Sequence, residues 1–156
     1  MRIWTLVVAM ACAVALGGSV SEADTVAAMQ GHGWPNHFDS CFGSSWALMR
    51  NNCGGPAGSQ RLLIIPTQAR YWGYNSIYAR ASGNGVDTGT NCQGISTYTY
   101  STGQGAVSFT QIVSTSTSAS PEVLNLGPIT VYPAGTMHFE CKVAQGGGQV
   151  FNIDFQ

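Results

Sequence analysis

Residues 136–155, TMHFECKVAQGGGQVFNIDF, constrain this chain more than any other stretch. Met137, Phe139, Cys141 and Val143 alternate with His138, Glu140 and Lys142. After QGGGQ the alternation resumes, with Phe151, Ile153 and Phe155 set against Asn152 and Asp154. Successive side chains of a β-strand point to opposite faces, so this period of two predicts two strands, each with one face in a core and one in water. The glycine-rich residues 145–149 read as the turn of a hairpin joining them.

The same period recurs upstream. Residues 129–132, 106–113, 94–100, 77–81 and 61–65 are further strand candidates, and 45–50 and 123–126 are weaker ones. GGPAG, SGNG, STGQG, LGP and YPAG separate them as turns. The only helical candidate after the leader is residues 24–30, DTVAAMQ, too short to stand alone in water. Short strands at close spacing with almost no helix predict an all-β fold: an antiparallel β-sandwich or jelly roll of about eight strands. The Ser/Thr-rich stretch 96–120 has the composition of a mucin-like linker. It holds no proline, and Tyr98, Tyr100, Val107, Phe109 and Ile112 fall at strand spacing. It therefore reads as two strands with hydroxylic outer faces and a flexible tip near 114–120.

Ahead of this domain, Arg2 precedes the apolar run TLVVAMACAVAL and the small-residue segment GGSVSEA. That order is a secretory signal, with cleavage after Ala23. The run is short of the ~20 residues of a membrane-spanning helix, so no span is expected in the mature chain. A lipid attachment at Cys12 is the alternative, but no leucine stands three residues before that cysteine. The expected organisation is a signal peptide (1–23), an N-terminal arm (24–43) and a β-sandwich domain (44–156).

Without Cys12 the chain keeps Cys41, Cys53, Cys92 and Cys141. Four cysteines in an exported chain imply two disulfides with three connectivities, of which Cys41–Cys53 and Cys92–Cys141 are favoured. There is no C-x-x-C pair to suggest a redox centre or zinc knuckle. There is also no N-x-S/T sequon, so the reading is a bacterial protein of the periplasm or exterior. Charged residues are only 8% of the chain and the net charge is -1, which leaves no basic footprint for nucleic acid.

Three constellations are candidates for chemistry. GHGWPNHFDSC (31–41) supplies His32, His37 and Asp39, the donor types zinc prefers. The H-x-x-x-x-H spacing around Pro35 cannot be a helical pair, and no HExxH or HxH is present. His138 and Glu140 share a strand face and complete a site only if the fold brings the two segments together. Otherwise the cluster is an anchoring arm in which Trp34 and Phe38 pack onto the sandwich while the polar residues cap turns.

Gly127, Pro133, Gly135 and His138 have the spacing of G-x5-P-x-G-x2-H-x3-N. Over about a dozen residues this resembles the second cupin motif, with Lys142 in place of the asparagine. The resemblance implies a jelly-roll turn at P-x-G. The metal centre of that family also takes two histidines and a glutamate from an earlier strand, and no histidine stands between Ser40 and Met137. No G-x-S-x-G elbow is present. Asp39, Asp87, Glu122, Glu140 and Asp154 fall on predicted turns or outward faces, so no catalytic pair is marked and no cofactor is expected.

RYWGYNSIYAR (70–80) crowds Tyr71, Trp72 and Tyr74 around Gly73 beside Arg70, in what reads as the loop before a strand. Aromatic rings with polar tips on such a loop can stack on sugars, with arginine adding a hydrogen bond or cation–π contact. The competing reading is that they cover one end of the core. The expectation is a secreted, non-catalytic β-sandwich module that binds a partner such as a polysaccharide or cell-surface glycan. A structural envelope or matrix protein is the alternative, and a small secreted hydrolase or metal-binding protein the second.

Overall fold

The computed structural model describes residues 24–34, 40–45, 47–67, 73–74, 76–132 and 134–156. They form two antiparallel six-stranded sheets packed face to face and one two-stranded ribbon. Sheet I runs β11 (Glu122–Asn125), β7 (Ile77–Ser82), β14 (Gln149–Phe155), β4 (Leu48–Asn51) and β3 (Phe42–Ser45), with β1 (Asp24–Ala27) also paired to β14. Sheet II runs β10 (Val113–Ser114), β8 (Asn91–Thr99), β13 (Thr136–Ala144), β5 (Gln60–Thr67) and β2 (His32–Trp34), with β9 (Gly105–Phe109) also paired to β8. The ribbon joins β6 (Gly73–Tyr74) to β12 (Ile129–Thr130). The all-β, disulfide-stapled sandwich expected from the sequence is the fold of the chain.

The inward residues of each sheet meet in one core. Leu63, Ile65, Met137, Phe139, Cys141 and Val143 come from sheet II, and Ile77, Ala79, Ala81, Val150, Ile153 and Phe155 from sheet I; all are buried. Phe139 and Phe155 face each other across the sandwich with ring centroids 6.2 Å apart. Burying a side chain of this size contributes about 1.5–3 kcal/mol, so the inward rows dominate the stability.

The hairpin expected at 136–155 is not formed. β13 pairs with β5 and β8, whereas β14 pairs with β7, β4 and β1, so residues 145–148 arch from one sheet to the other. Both strands carry the right faces, but those faces oppose each other through the core instead of lying side by side. Gly147, at φ 129°, sits in the arch in a region that L side chains rarely adopt. Phe151, expected inward, is the extra residue of a β-bulge between Val150 and Asn152. Its half-buried ring lies outside the core, with the Arg80 guanidinium 5.7 Å from its centroid.

The remaining corrections are local. Residues 24–30 form strand β1 and a 3-10 turn (Ala28–Gln30), because pairing with β14 supplies the hydrogen bonds that so short a helix could not. Residues 45–50 bend into the β3–β4 hairpin, and 106–113 breaks into β9 and β10. The segment 114–120, expected to be a flexible tip, is pinned at many points. Thr115 and Thr90 exchange hydrogen bonds, and Gly83 and Gly85 donate to the carbonyls of Ser118 and Thr117 at 2.7 and 2.8 Å. Ser116 donates its N–H (3.1 Å) and its hydroxyl to Glu122, holding that carboxyl below its usual range.

Both favoured disulfides are formed. Cys41–Cys53 closes the open ends of the β3–β4 hairpin at a Cα–Cα distance of 4.9 Å. Cys92 and Cys141 are direct cross-strand neighbours on β8 and β13, inside the core face of sheet II. The pairs suit an oxidising extracellular or periplasmic environment. Among the described residues no helix is long and apolar enough to cross a membrane.

Candidate functional site

One end of the sandwich collects tyrosines. β8 ends at Thr99 and β9 begins at Gly105; Tyr100 closes the tip between them, donating to the Gln104 carbonyl (2.7 Å) and accepting from Gly103 N–H (2.8 Å). The Tyr98 and Tyr100 rings meet edge-to-face with centroids 4.9 Å apart. Tyr132, just past β12, stacks on Tyr98 at 6.3 Å. Tyr100 is 45% exposed and the other two are half-buried, so the trio presents ring surface and hydroxyls at the rim.

Tyr132 is set by the turn into β13, where Gly135 N–H donates to the Tyr132 carbonyl at 2.8 Å. A Cβ on Gly135 would stand 2.6 Å from the Thr97 carbonyl oxygen, so the turn can close against β8 only with glycine there. The P-x-G turn expected from the sequence thus starts β13, with Pro133 outside the described residues. The β6–β12 ribbon sets the backbone of Tyr74 beside Ile129, three residues before Tyr132. Arg70, Tyr71 and Trp72 lie outside the described residues, and of Tyr74 only the backbone is described. Tyr98, Tyr100 and Tyr132 were not singled out as site residues from the sequence. Their signal was position: each abuts a turn at a strand end, where a ring reaches the rim and not the middle of the core.

The histidine-containing clusters are arranged differently. His32 is exposed on β2, while His37 and Asp39 lie outside the described residues. The register His32–Ile64–Glu140 puts His32 in the same row as Glu140 with β5 between them. His138 Nε2 stands 3.5 Å from Glu140 Oε1, on the outer face of sheet II. Among the described residues no group of three or more His, Cys, Asp or Glu side chains could hold a metal ion. Trp34, expected to pack onto the sandwich, is 52% exposed, because Gly33 takes the inward position of β2.

At the end opposite the tyrosines, a cleft of about 210 Å³ lies among Gly54–Ala57, Asn84, Asp87 and Gln145. Asn84 Nδ2 (2.9 Å) and the Thr88 hydroxyl (2.7 Å) donate to Asp87 and hold its carboxyl below the usual range. A second cleft, of about 300 Å³, runs past Arg50, Asn52 and Gln149. Neither contains a histidine, so neither pairs an imidazole with a carboxylate.

No protein-family model matches the chain, and no curated protein does. Among solved structures it is similar to the insecticidal crystal protein Cry2Aa, at 13% identity and a TM-score of 0.50. That alignment covers 86% of this chain and 21% of the other, so the chain spans about a fifth of that protein's length. At such identity the likeness is one of fold, and it agrees with the β-sandwich architecture described above.

Proposed function

We propose that the chain is a secreted, non-catalytic β-sandwich module that binds polysaccharide or cell-surface glycan through its tyrosine end. The observation that carries this reading is the cluster of Tyr98, Tyr100 and Tyr132, with rings 4.9 and 6.3 Å apart at an open rim. A tyrosine ring offers an apolar body to the flat face of a sugar and a hydroxyl to its edge, and small-ligand sites combine just these elements. Arg70, Tyr71, Trp72 and Tyr74, the candidates from the sequence, are included in this proposal as further contacts to the sugar. A surface with so few charges and so many hydroxyl side chains suits a neutral, hydroxyl-rich ligand. The two disulfides suit the secreted location.

The test is a pull-down on insoluble polysaccharides together with a glycan array, using wild type, Tyr100→Ala and Trp72→Ala. The expected result is binding to at least one polysaccharide, weakened about tenfold or more by either substitution with the far-UV spectrum unchanged. Wild type that retains no polysaccharide, or binding equal in all three proteins, sinks the proposal. A structural role in the envelope or matrix is favoured by a different observation, the exposed Trp34, Val107 and Phe109 on the outer face of sheet II.

A further inference from the structure

We infer that a second copy of this chain docks on the outer face of sheet II, giving a two-fold symmetric, face-to-face dimer. The inter-strand registers lay this face out in four rows. Trp34, Leu62, Lys142 and Asn91 form the first; His32, Ile64, Glu140 and Gln93 the second. Pro66, His138, Ile95 and Phe109 form the third, and Thr136, Thr97 and Val107 the fourth. Trp34, Val107 and Phe109 are 52%, 49% and 57% exposed, and Leu62, Ile64 and Ile95 are half-buried between them. The outer face of sheet I has a polar centre, with Val123 68% exposed beside Arg80 and the half-buried Phe151 against the Arg80 guanidinium. There Thr25 (2.7 Å) and Asn152 (2.6 Å) donate to Asp154, with Tyr78 and Asn125 alongside. Among the described residues sheet II thus groups three exposed large apolar side chains on its outer face, against one on that of sheet I.

Size and charge both favour a second copy as the occupant. The fifteen positions, each about 4.8 by 6.8 Å of sheet, make a patch on the order of 490 Å² before side-chain relief, over half of one side of a standard interface of ~800 Å². The face is also self-complementary. A two-fold axis lying in the interface at the level of Phe139, across the strands, sets the second row of one copy against the third row of the other. Glu140 then meets the second copy's His138, and that copy's Glu140 meets His138, extending the His138–Glu140 pair into an alternating cluster of four groups. In the same step Ile64 meets Pro66, Gln93 meets Ile95, and Lys142 of the first row meets Thr136 of the fourth. The tyrosine rim stays outside this interface, so the dimer does not rest on the glycan reading and would present two such rims.

Sedimentation velocity of the purified, disulfide-bonded chain over about 1–200 µM tests this, with Phe109→Asp, Ile95→Lys and Glu140→Arg beside wild type. The expected result is a monomer–dimer equilibrium in that range, weakened at least tenfold by each substitution with the far-UV spectrum unchanged. Phe109 is exposed, so Phe109→Asp reports on association without touching the core. A monomer throughout the range overturns the inference, as does a dimer that all three variants form as well as wild type. A wild-type monomer that binds polysaccharide and loses it in Phe109→Asp also overturns it, and assigns the face to the glycan.

Discussion

Thr90 joins the two sheets through a single hydroxyl. Its Oγ1 donates to the Ser82 carbonyl of β7 at 2.7 Å and accepts from Ala144 N–H of β13 at 3.1 Å. Thr90 is fully buried, so both backbone groups lose their partner together if the hydroxyl is removed. A buried donor or acceptor left unpaired costs about 1–3 kcal/mol. Thr90→Val keeps the shape and deletes the oxygen, and is expected to lower the unfolding free energy by about 2–4 kcal/mol. Thr90→Ser keeps the oxygen and deletes one methyl, for a loss of about 1 kcal/mol. Urea denaturation of the two variants checks the order; equal losses would show that the methyl, and not the bridge, matters. Nothing in the sequence marks Thr90 among its many hydroxylic neighbours, because its role comes from two strands distant in the chain.

The strands themselves were far more legible than their partners. β13 and β14 run over Thr136–Ala144 and Gln149–Phe155, the spans that alternation alone predicts. Alternation reports which face of a strand is buried and is silent on which sheet that strand joins. A hairpin and an arch between two facing sheets therefore leave the same pattern in residues 136–155. The bulge at Phe151 was hidden for a related reason, since one inserted residue shifts the face of a side chain that composition would still bury. The candidate site was less legible still: the tyrosines lie at strand ends, and only the turns bring them together. The arch can be tested directly. Gly147 holds φ 129°, so Gly147→Ala is expected to cost about 1–3 kcal/mol of strain. Gly54→Ala is the control, because a Cβ there meets nothing within 4 Å. A Gly147→Ala urea midpoint equal to that of the control would mean that the arch does not demand glycine.

For the molecule as a whole, two six-stranded sheets share one core, and charged residues, at 8% of the chain, add little beyond it. The disulfides act on different parts of this body. Cys41–Cys53 spans 12 residues and secures an edge hairpin of sheet I, whereas Cys92–Cys141 spans 49 and ties two central strands of sheet II. On the chain-entropy account the first stabilises by about 3 kcal/mol and the second by about 4 kcal/mol. Domains of this size are stable by about 5–15 kcal/mol, so one loss is tolerable while the pair approaches the whole. The expected outcome is that Cys41→Ser/Cys53→Ser and Cys92→Ala/Cys141→Ala each stay folded at 37 °C with lowered urea midpoints, the second lowered more. The quadruple variant is expected to lose its near-UV circular dichroism at that temperature, as is wild type under a reductant after unfolding and dilution. A quadruple variant with native near-UV signal at 37 °C would show that sheet packing alone sustains the fold. The loss of that signal would tie the folded state of this chain to an oxidising compartment by thermodynamics.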